Sequence, residues 1–310
     1  MAGIPVLNGP DLWENPGKFA ADFHAAYSTF GFAYLENHRV AQSLIDAVFA
    51  ANVAFHELPQ AQKQAIELDA NHRGFIRINS SIDVNSAHET ITKPNQSESF
   101  MAMREEAIDP ARYLSGPNRW PELPGFRDTL QSYMMEMEAL ADRLFAVAMT
   151  SLGAEVPLDF APATLWLRLL YYPKRAADAP GDLYGSAPHN DFGCLTLLAQ
   201  DDAGGLQVKA QGGGWIDVPP REGAFVVNVG DMLHRYSNGI LRSTPHRVIN
   251  RSGRARYSVP FFYDPSTAAR VAPLPGTGAP RFQPQHFGDF LRRELGDAYA
   301  QHQGAEGLDL

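Results

Sequence analysis

Thr164-Leu165-Trp166-Leu167-Arg168-Leu169-Leu170-Tyr171-Tyr172, apolar and aromatic almost throughout, reads as a β-strand and opens a half of the chain built to one plan. Cys194–Ala199, Leu206–Lys209, Trp215–Val218, Ala224–Val229, His246–Asn250 and Arg256–Phe262 follow it. Each is short, and Gly, Pro, Asn and Asp separate them. Many short strands at roughly regular spacing predict a sandwich or jelly roll. Upstream the texture differs. Phe19, Phe23, Ala26 and Phe30 recur at helical spacing until Gly31, and a short extended run, Phe32 to Leu35, comes next. Leu44, Val48, Ala51 and Phe55 predict a second helix ended by Pro59. Leu130, Tyr133, Met137, Leu140, Leu144 and Val147 predict a long one closed by Gly153. The methionines on it (Met134, Met135, Met137) read as core filler. Arg73 to Glu98 keeps no period and reads as loops with a short strand, either a lid over a pocket or an ordinary surface connection. Phe287 to Tyr299 reads as a C-terminal helix.

The expected class is therefore α+β with a mainly β core: a double-stranded β-helix, or jelly roll, flanked by N-terminal helices and a C-terminal helix. No repeat, low-complexity tract or linker divides the chain. The reading is one domain over 1–310: a mostly helical region to 160, a jelly-roll core from 161 to 270, and a C-terminal segment from 271.

Composition bounds the function. Of 310 residues, 45% are hydrophobic and 20% charged, as in an ordinary globular chain. A net charge of −9 removes the basic footprint expected for nucleic acid or anionic lipid. No apolar run approaches a membrane span, and the first residues carry no export signal. One cysteine, Cys194, excludes an internal disulfide and a thiolate zinc site. The expectation is a soluble, cytoplasmic protein acting on a small molecule, without nucleic-acid or membrane partners; nothing in the sequence sets an oligomeric state.

Of ten histidines, seven (His24, His38, His56, His72, His88, His286, His302) have no acidic or histidine neighbour at ligand spacing and read as surface or hydrogen-bonded core positions. The other three, His189, His234 and His246, lie in the strand-rich half. In an extended segment His189 and Asp191 share a face, so they converge on one point. A third ligand must come from another strand. His246 sits in a β-compatible run and is preferred; His234 is the alternative. Two imidazoles and one carboxylate on one face of an ion leave three positions open, a set suited to Fe(II) in oxygen-using enzymes. Arg256 and Ser258, again two apart, put a guanidinium and a hydroxyl on the inner face one strand later. A buried arginine needs an anion: either a bound carboxylate or an internal acid, for which Asp231 is the candidate. Asp231 otherwise reads as a structural residue at a turn. Cys194 has the opposite parity to Asp191 and reads as core.

With these residues stand Leu195-Thr196-Leu197-Leu198, Gly204-Gly205-Leu206-Gln207-Val208, Val226-Val227-Asn228-Val229-Gly230-Asp231, His246-Arg247-Val248 and Arg256-x-Ser258. Together they resemble the non-haem iron(II), 2-oxoglutarate-dependent oxygenases, in the branch that includes isopenicillin N synthase and the plant flavonoid and gibberellin oxygenases. Looser matches at Ile4-Pro5-Val6, Gly31-Phe32, Arg73-Gly74-Phe75, Glu98-Ser99-Phe100 and Asn118-Arg119-Trp120-Pro121 extend the resemblance over most of the chain. The resemblance implies that His189, Asp191 and His246 bind Fe(II), that Arg256 and Ser258 hold the far carboxylate of 2-oxoglutarate, and that Tyr172 contacts the same cosubstrate. An asparagine frequent in plant members is Leu170 here, which removes one polar contact. Phe262 corresponds to an aromatic of the substrate pocket; Arg168, sharing the parity of Leu170 and Tyr172, and Phe192 are further candidates for that pocket. The implied activity couples O2 and 2-oxoglutarate, released as succinate and CO2, to hydroxylation, desaturation or ring closure of a small organic substrate, with ascorbate as a candidate reductant. The competing readings are an iron oxidase of the same fold that dispenses with 2-oxoglutarate and a non-catalytic jelly-roll binding protein.

Overall fold

The elements run in the order β1 (Val6–Asn8), α1 (Asp11–Glu14), α2 (Pro16–Thr29), β2 (Phe32–Glu36), α3 (Gln42–His56), α4 (Gln60–Gln64), β3 (Gly74–Ile76), β4 (Glu98–Met103), α5 (Phe126–Ser151), β5 (Thr164–Tyr172), β6 (Ser186–His189), β7 (Leu195–Gln200), β8 (Leu206–Lys209), β9 (Trp215–Asp217), β10 (Ala224–Val229), α6 (Asp231–Tyr236), β11 (His246–Val248), β12 (Arg256–Asp264), β13 (Arg270–Val271), β14 (Gln285–His286) and α7 (Phe287–Ala298). The structure, a computed structural model, describes residues 3–82, 88–110 and 112–299. Eight strands in the order β1-β2-β10-β7-β12-β5-β4-β3 form a major sheet, and β6-β11-β8-β9 form a minor one facing it. All neighbours in the major sheet are antiparallel except β1 and β2. This is the jelly roll expected.

Side-chain alternation divides the major sheet into two functional faces. Leu165, Leu167 and Leu169 of β5, Leu195 and Leu197 of β7, Phe225 and Val227 of β10, and Val259 and Phe261 of β12 point outward into one large core shared with α2, α3 and α5. The intervening residues point inward. Phe32, Tyr34, Leu170, Tyr172 and Val226 meet Leu206, Val208 and Val248 of the minor sheet in a separate inner core. The long helix α5 lays Leu130, Tyr133, Met137, Leu140 and Leu144 on the outer face. Met135, expected as core filler, is 67% exposed, because it falls off that stripe.

Gly31 ends α2 where the chain must turn into β2. Its φ is +79°, and a Cβ there would collide with Thr244 Oγ1 and the Arg242 carbonyl, so only glycine fits. The β structure is not confined to 161–270: β1 to β4 extend the major sheet at both edges. The stretch Arg73–Glu98, expected as loops with a short strand, contains β3 and leads into β4; residues 83–87 lie outside the described ones. The strand β4 has no signature in the sequence because Phe100, Met101, Ala102 and Met103 are all buried, which erases the period-two signal. Asp231, read as a turn residue, instead begins the short helix α6. No helix among the described residues is long and apolar enough to cross a membrane.

Phe55 anchors the outer core, with ring centroids 5.1 Å from Phe100 and 5.7 Å from Phe126. Truncating Phe55 to alanine leaves a large cavity and is expected to cost about 3–5 kcal/mol. Met135→Ala on the exposed side of α5 should change stability by less than about 0.5 kcal/mol. Urea denaturation of the two variants against the parent checks both figures.

Candidate active site

Strand β6 ends at His189, and its antiparallel pairing with β11 sets His246 directly opposite, with ring centroids 4.3 Å apart. Asp191 lies just past the end of β6. Its carboxylate Oδ1 is 3.7 Å from His189 Nε2 and 3.6 Å from His246 Nε2. The three donor atoms all lie within 4.8 Å of one another. Donors sharing one transition-metal ion at ~2.1 Å sit roughly 3 Å apart when adjacent, so a small contraction closes the trio around an ion.

The surroundings prepare each donor. His189 Nδ1 lies 2.7 Å from the Ala187 carbonyl and His246 Nδ1 lies 3.4 Å from that of Thr244. A carbonyl can only accept, so Nδ1 carries the proton and each Nε2 lone pair faces the shared vertex. Asp191 Oδ2 accepts hydrogen bonds from Thr196 Oγ1 at 2.5 Å and Asn228 Nδ2 at 2.7 Å, leaving Oδ1 for the vertex. Burial alone would raise the Asp191 carboxyl, but the His246 and His189 imidazoles, with those two hydrogen bonds, outweigh it and hold it below its ordinary value. Thr196 on β7 and Asn228 on β10 are functional residues that sequence reasoning missed. The available signal is a polar residue at an inward position of an otherwise apolar strand. The turn after Asp191 is fastened by α6, whose Asp231 and Met232 N–H groups donate to the carbonyls of Asp191 and Gly193.

Deeper in the same cavity stands Arg256, fully buried. Its guanidinium donates to the Gly204 carbonyl (2.7 Å) and Ser258 Oγ (3.1 Å), reaches Gln200 Oε1 at 3.4 Å, and stacks 4.6 Å from the Tyr172 ring centroid. None of these partners is anionic. Asp231, the internal acid considered as its mate, instead sits at the head of α6 with Ser243 and His234 as neighbours, and burial raises its carboxyl. Among the described residues this buried cation has no anionic partner, and its chemistry suits a bound carboxylate.

A second chamber opens beside the first and shares His189, Asp191, Arg168 and Phe262 with it. Arg168, Leu170 and Tyr172 all face inward, as their common parity requires. Trp166, Phe192 and Phe262 line the second chamber, and Leu295 and Tyr299 from the C-terminal end close it. Sequence reasoning missed Trp166, Leu295 and Tyr299; only tertiary folding brings α7 over the sheet. His72, expected at the surface or in the core, lines this chamber too, its ring 5.4 Å from Trp166 and 4.9 Å from Tyr299. His88 lies 2.5 Å from Asn190 Oδ1 beside the trio. His302 falls outside the described residues.

His234, the alternative third ligand, is not with the trio: its Nδ1 lies 2.6 Å from the Leu241 carbonyl. Cys194 is buried in the outer core, and burial pushes its thiol up. Asp264 lies at the chamber wall, accepting the Cys194 N–H at 3.0 Å. The chain passes so close that a Cβ on Gly193 would overlap the Asp264 carboxylate. Burial pushes the Asp264 carboxyl up to about 8, helped by the Asp191 charge and opposed by the Cys194 hydrogen bond.

Two imidazoles and a carboxylate at one vertex, with a buried arginine behind them, on a jelly roll, define a non-haem iron oxygenase site. The chain belongs to the 2OG-Fe(II) oxygenase superfamily. The model of that superfamily matches residues 163–265, and that of the non-haem dioxygenase in morphine synthesis N-terminal region matches 4–123. The chain is 35% identical to a 2-oxoglutarate-Fe(II) type oxidoreductase of Emericella nidulans, over 96% of this chain and 90% of that one. It is 32% identical to a homoarginine-6-hydroxylase of Glycine max, over 88% and 89%. Its structure superposes on that of a full-length Neurospora crassa protein in complex with alpha-KG with a TM-score of 0.82, at 28% identity over 94% and 96%. The protein is an enzyme, an Fe(II)- and 2-oxoglutarate-dependent oxygenase that uses O2. The readings as an oxidase without 2-oxoglutarate and as a binding protein give way to it.

Asp264 makes stability pH-dependent. The folded chain keeps a proton that the unfolded chain, with an ordinary aspartate near 3.8, has already lost. Stability therefore falls as pH rises from about 4 to about 8. Asp264→Asn, which retains the acceptor for Cys194, should remove that fall. Urea midpoints of the metal-free proteins at about pH 5 and about pH 8 test this. The wild type should lose ground to the variant at the higher pH, and parallel behaviour contradicts a protonated Asp264.

Proposed function

We propose that His189, Asp191 and His246 hold the ferrous ion, that Arg256 and Ser258 grip the far carboxylate of 2-oxoglutarate with Tyr172 against it, and that Phe262, Arg168 and Phe192 contact the organic substrate. The observation that carries this reading is the convergence of three neutral or anionic donors at one vertex, in one cavity with a fully buried guanidinium that has no anionic partner among the described residues. Bound iron would supply the oxidising chemistry that couples cosubstrate decarboxylation to attack on a C–H bond. The chain's own residues do the rest. Thr196 and Asn228 fix which Asp191 oxygen faces the ion, the Ala187 and Thr244 carbonyls fix the imidazole tautomers, and the inner core keeps water away from the cosubstrate.

Hydroxylation is the outcome we assign, supported by the hydroxylase name of the soybean relative. The cytoplasmic placement rests on the single cysteine, buried and free, which suits a reducing compartment. We further read residues 1–310 as one folding unit, since strands from both halves share one sheet.

Anaerobic titration of the protein with Fe(II) and then 2-oxoglutarate tests the assignment: a visible metal-to-ligand charge-transfer band is expected, and it should vanish in His189→Ala and Asp191→Ala along with succinate formation. Undiminished succinate from either variant overturns the ligand set. Arg256→Gln should raise the 2-oxoglutarate concentration needed for half-development of the band by roughly 10- to 100-fold, the worth of one charge-assisted contact. Asn228→Leu, which strips a hydrogen bond from Asp191 and leaves the ligands in place, should weaken Fe(II) binding by about 10- to 100-fold.

A further inference from the structure

One charged group in the cavity is not used by iron or cosubstrate. Arg168 projects inward from β5, half-buried, at the junction of the two chambers. Its Nε donates to Ser99 Oγ at 2.9 Å, and Ser99 is itself fully buried on β4. That bond orients the guanidinium and leaves its two terminal nitrogens for something else. Among the described residues no carboxylate pairs with it: Asp191 faces the two imidazoles, and Asp264 takes the Cys194 N–H.

The sheet register shows that this arginine does not serve the cosubstrate carboxylate. Tyr172 is the β5 partner of Arg256, and Trp166 is the partner of Phe262. Arg168 therefore stands four residues along β5 from the level of Arg256, roughly 13 Å at a strand's rise. Its neighbours at that end are Trp166, Phe192, Phe262 and Tyr299, flat rings around a space open to the Fe-binding trio. A partly desolvated guanidinium at the rim of an aromatic chamber is complementary to an anionic head on an apolar, ring-bearing body. Among the described residues the two carboxyl groups of the same wall are already engaged, Asp191 by the imidazoles and Asp264 by the Cys194 N–H.

We propose that the prime substrate is an organic acid with an aromatic or similarly flat apolar body, its carboxylate held by the terminal nitrogens of Arg168 and its body stacked among Trp166, Phe192, Phe262 and Tyr299. The inference rests on the oxygenase reading of the adjoining trio and names the substrate class for that site.

The test uses the protein loaded anaerobically with Fe(II) and 2-oxoglutarate, and two probes, 3-phenylpropanoate and its uncharged amide. Binding is read from tryptophan fluorescence, to which Trp166 contributes, and from the shift of the charge-transfer band. The acid is expected to bind roughly 10- to 100-fold more tightly than the amide. Arg168→Gln should erase that difference while the 2-oxoglutarate band develops as in the wild type, and Arg168→Lys should restore part of it. Equal binding of acid and amide, or failure of the acid to bind, overturns the substrate class while the band, still present, leaves the oxygenase reading standing. Loss of the band in Arg168→Gln, with an unchanged urea midpoint, also overturns it, by assigning Arg168 to the cosubstrate. A wild-type protein that gives no band overturns the cosubstrate assignment and the inference together.

Discussion

A carboxylate cannot stay ionised in a protein interior without compensation, and the placement of Asp191 makes that compensation the organising constraint of the molecule. Its side chain is 8% exposed. One oxygen is consumed by donors from two strands of the major sheet, Thr196 and Asn228, and the other faces imidazoles from two strands of the minor sheet. The group thus ties the two layers of the jelly roll at a single point. Any slip of β7 or β10 by one residue would turn Thr196 or Asn228 outward and leave the carboxylate short of a donor. Register in the major sheet and charge balance at the trio are one requirement.

Alternation lets the sheet meet this requirement while also serving as the floor of a helical layer. Along β12, Arg256, Ser258, Pro260 and Phe262 face the cavity, while Val259, Phe261 and Tyr263 pack outward. Neither face limits the other, because strand geometry separates them completely. The outer face needs only apolar volume and finds it in α2, α3 and α5. The inner face is left free to carry polar groups at a few chosen levels, in a wall that is otherwise hydrophobic.

Where those levels are set by chain-local pattern, the sequence disclosed them. His189 with Asp191, Arg256 with Ser258, and Arg168 with Leu170 and Tyr172 are pairs or trios at spacing two, and the structure turns each set to one side. The helices α2, α3 and α5 were legible for the same reason at a longer period. What stayed hidden depends on contacts between distant segments. The strand β4 is buried on both faces and shows no alternation; Trp166, Tyr299 and Leu295 meet only because α7 folds back across the sheet; and His72, which has no acidic or histidine residue at ligand spacing along the sequence, stands beside Tyr299. Thr196 and Asn228 are the intermediate case. Their pattern was available, but a polar residue in an apolar strand acquires meaning only when the group it must satisfy is known.

With the cosubstrate and substrate placed as proposed, the two ends of the cavity use different physics, which would let one scaffold keep its cosubstrate and change its substrate. At the Arg256 end recognition is electrostatic and geometric: a fully buried guanidinium held by Gly204, Ser258 and the Tyr172 ring has little freedom, and substitution of any partner disturbs a buried charge. At the other end the walls are apolar side chains whose contribution is area and shape, supplied from β5, β12, the turn after Asp191 and the C-terminal helix. Exchanging one of those rings alters volume without orphaning a charge, so that end can be remodelled in small steps. Arg168 lies on the boundary, oriented from behind by Ser99 and with no acid of its own among the described residues. A cation in that position is costly to the fold unless the ligand completes it, which makes its identity, more than that of any single aromatic residue, the feature that constrains what the chamber accepts.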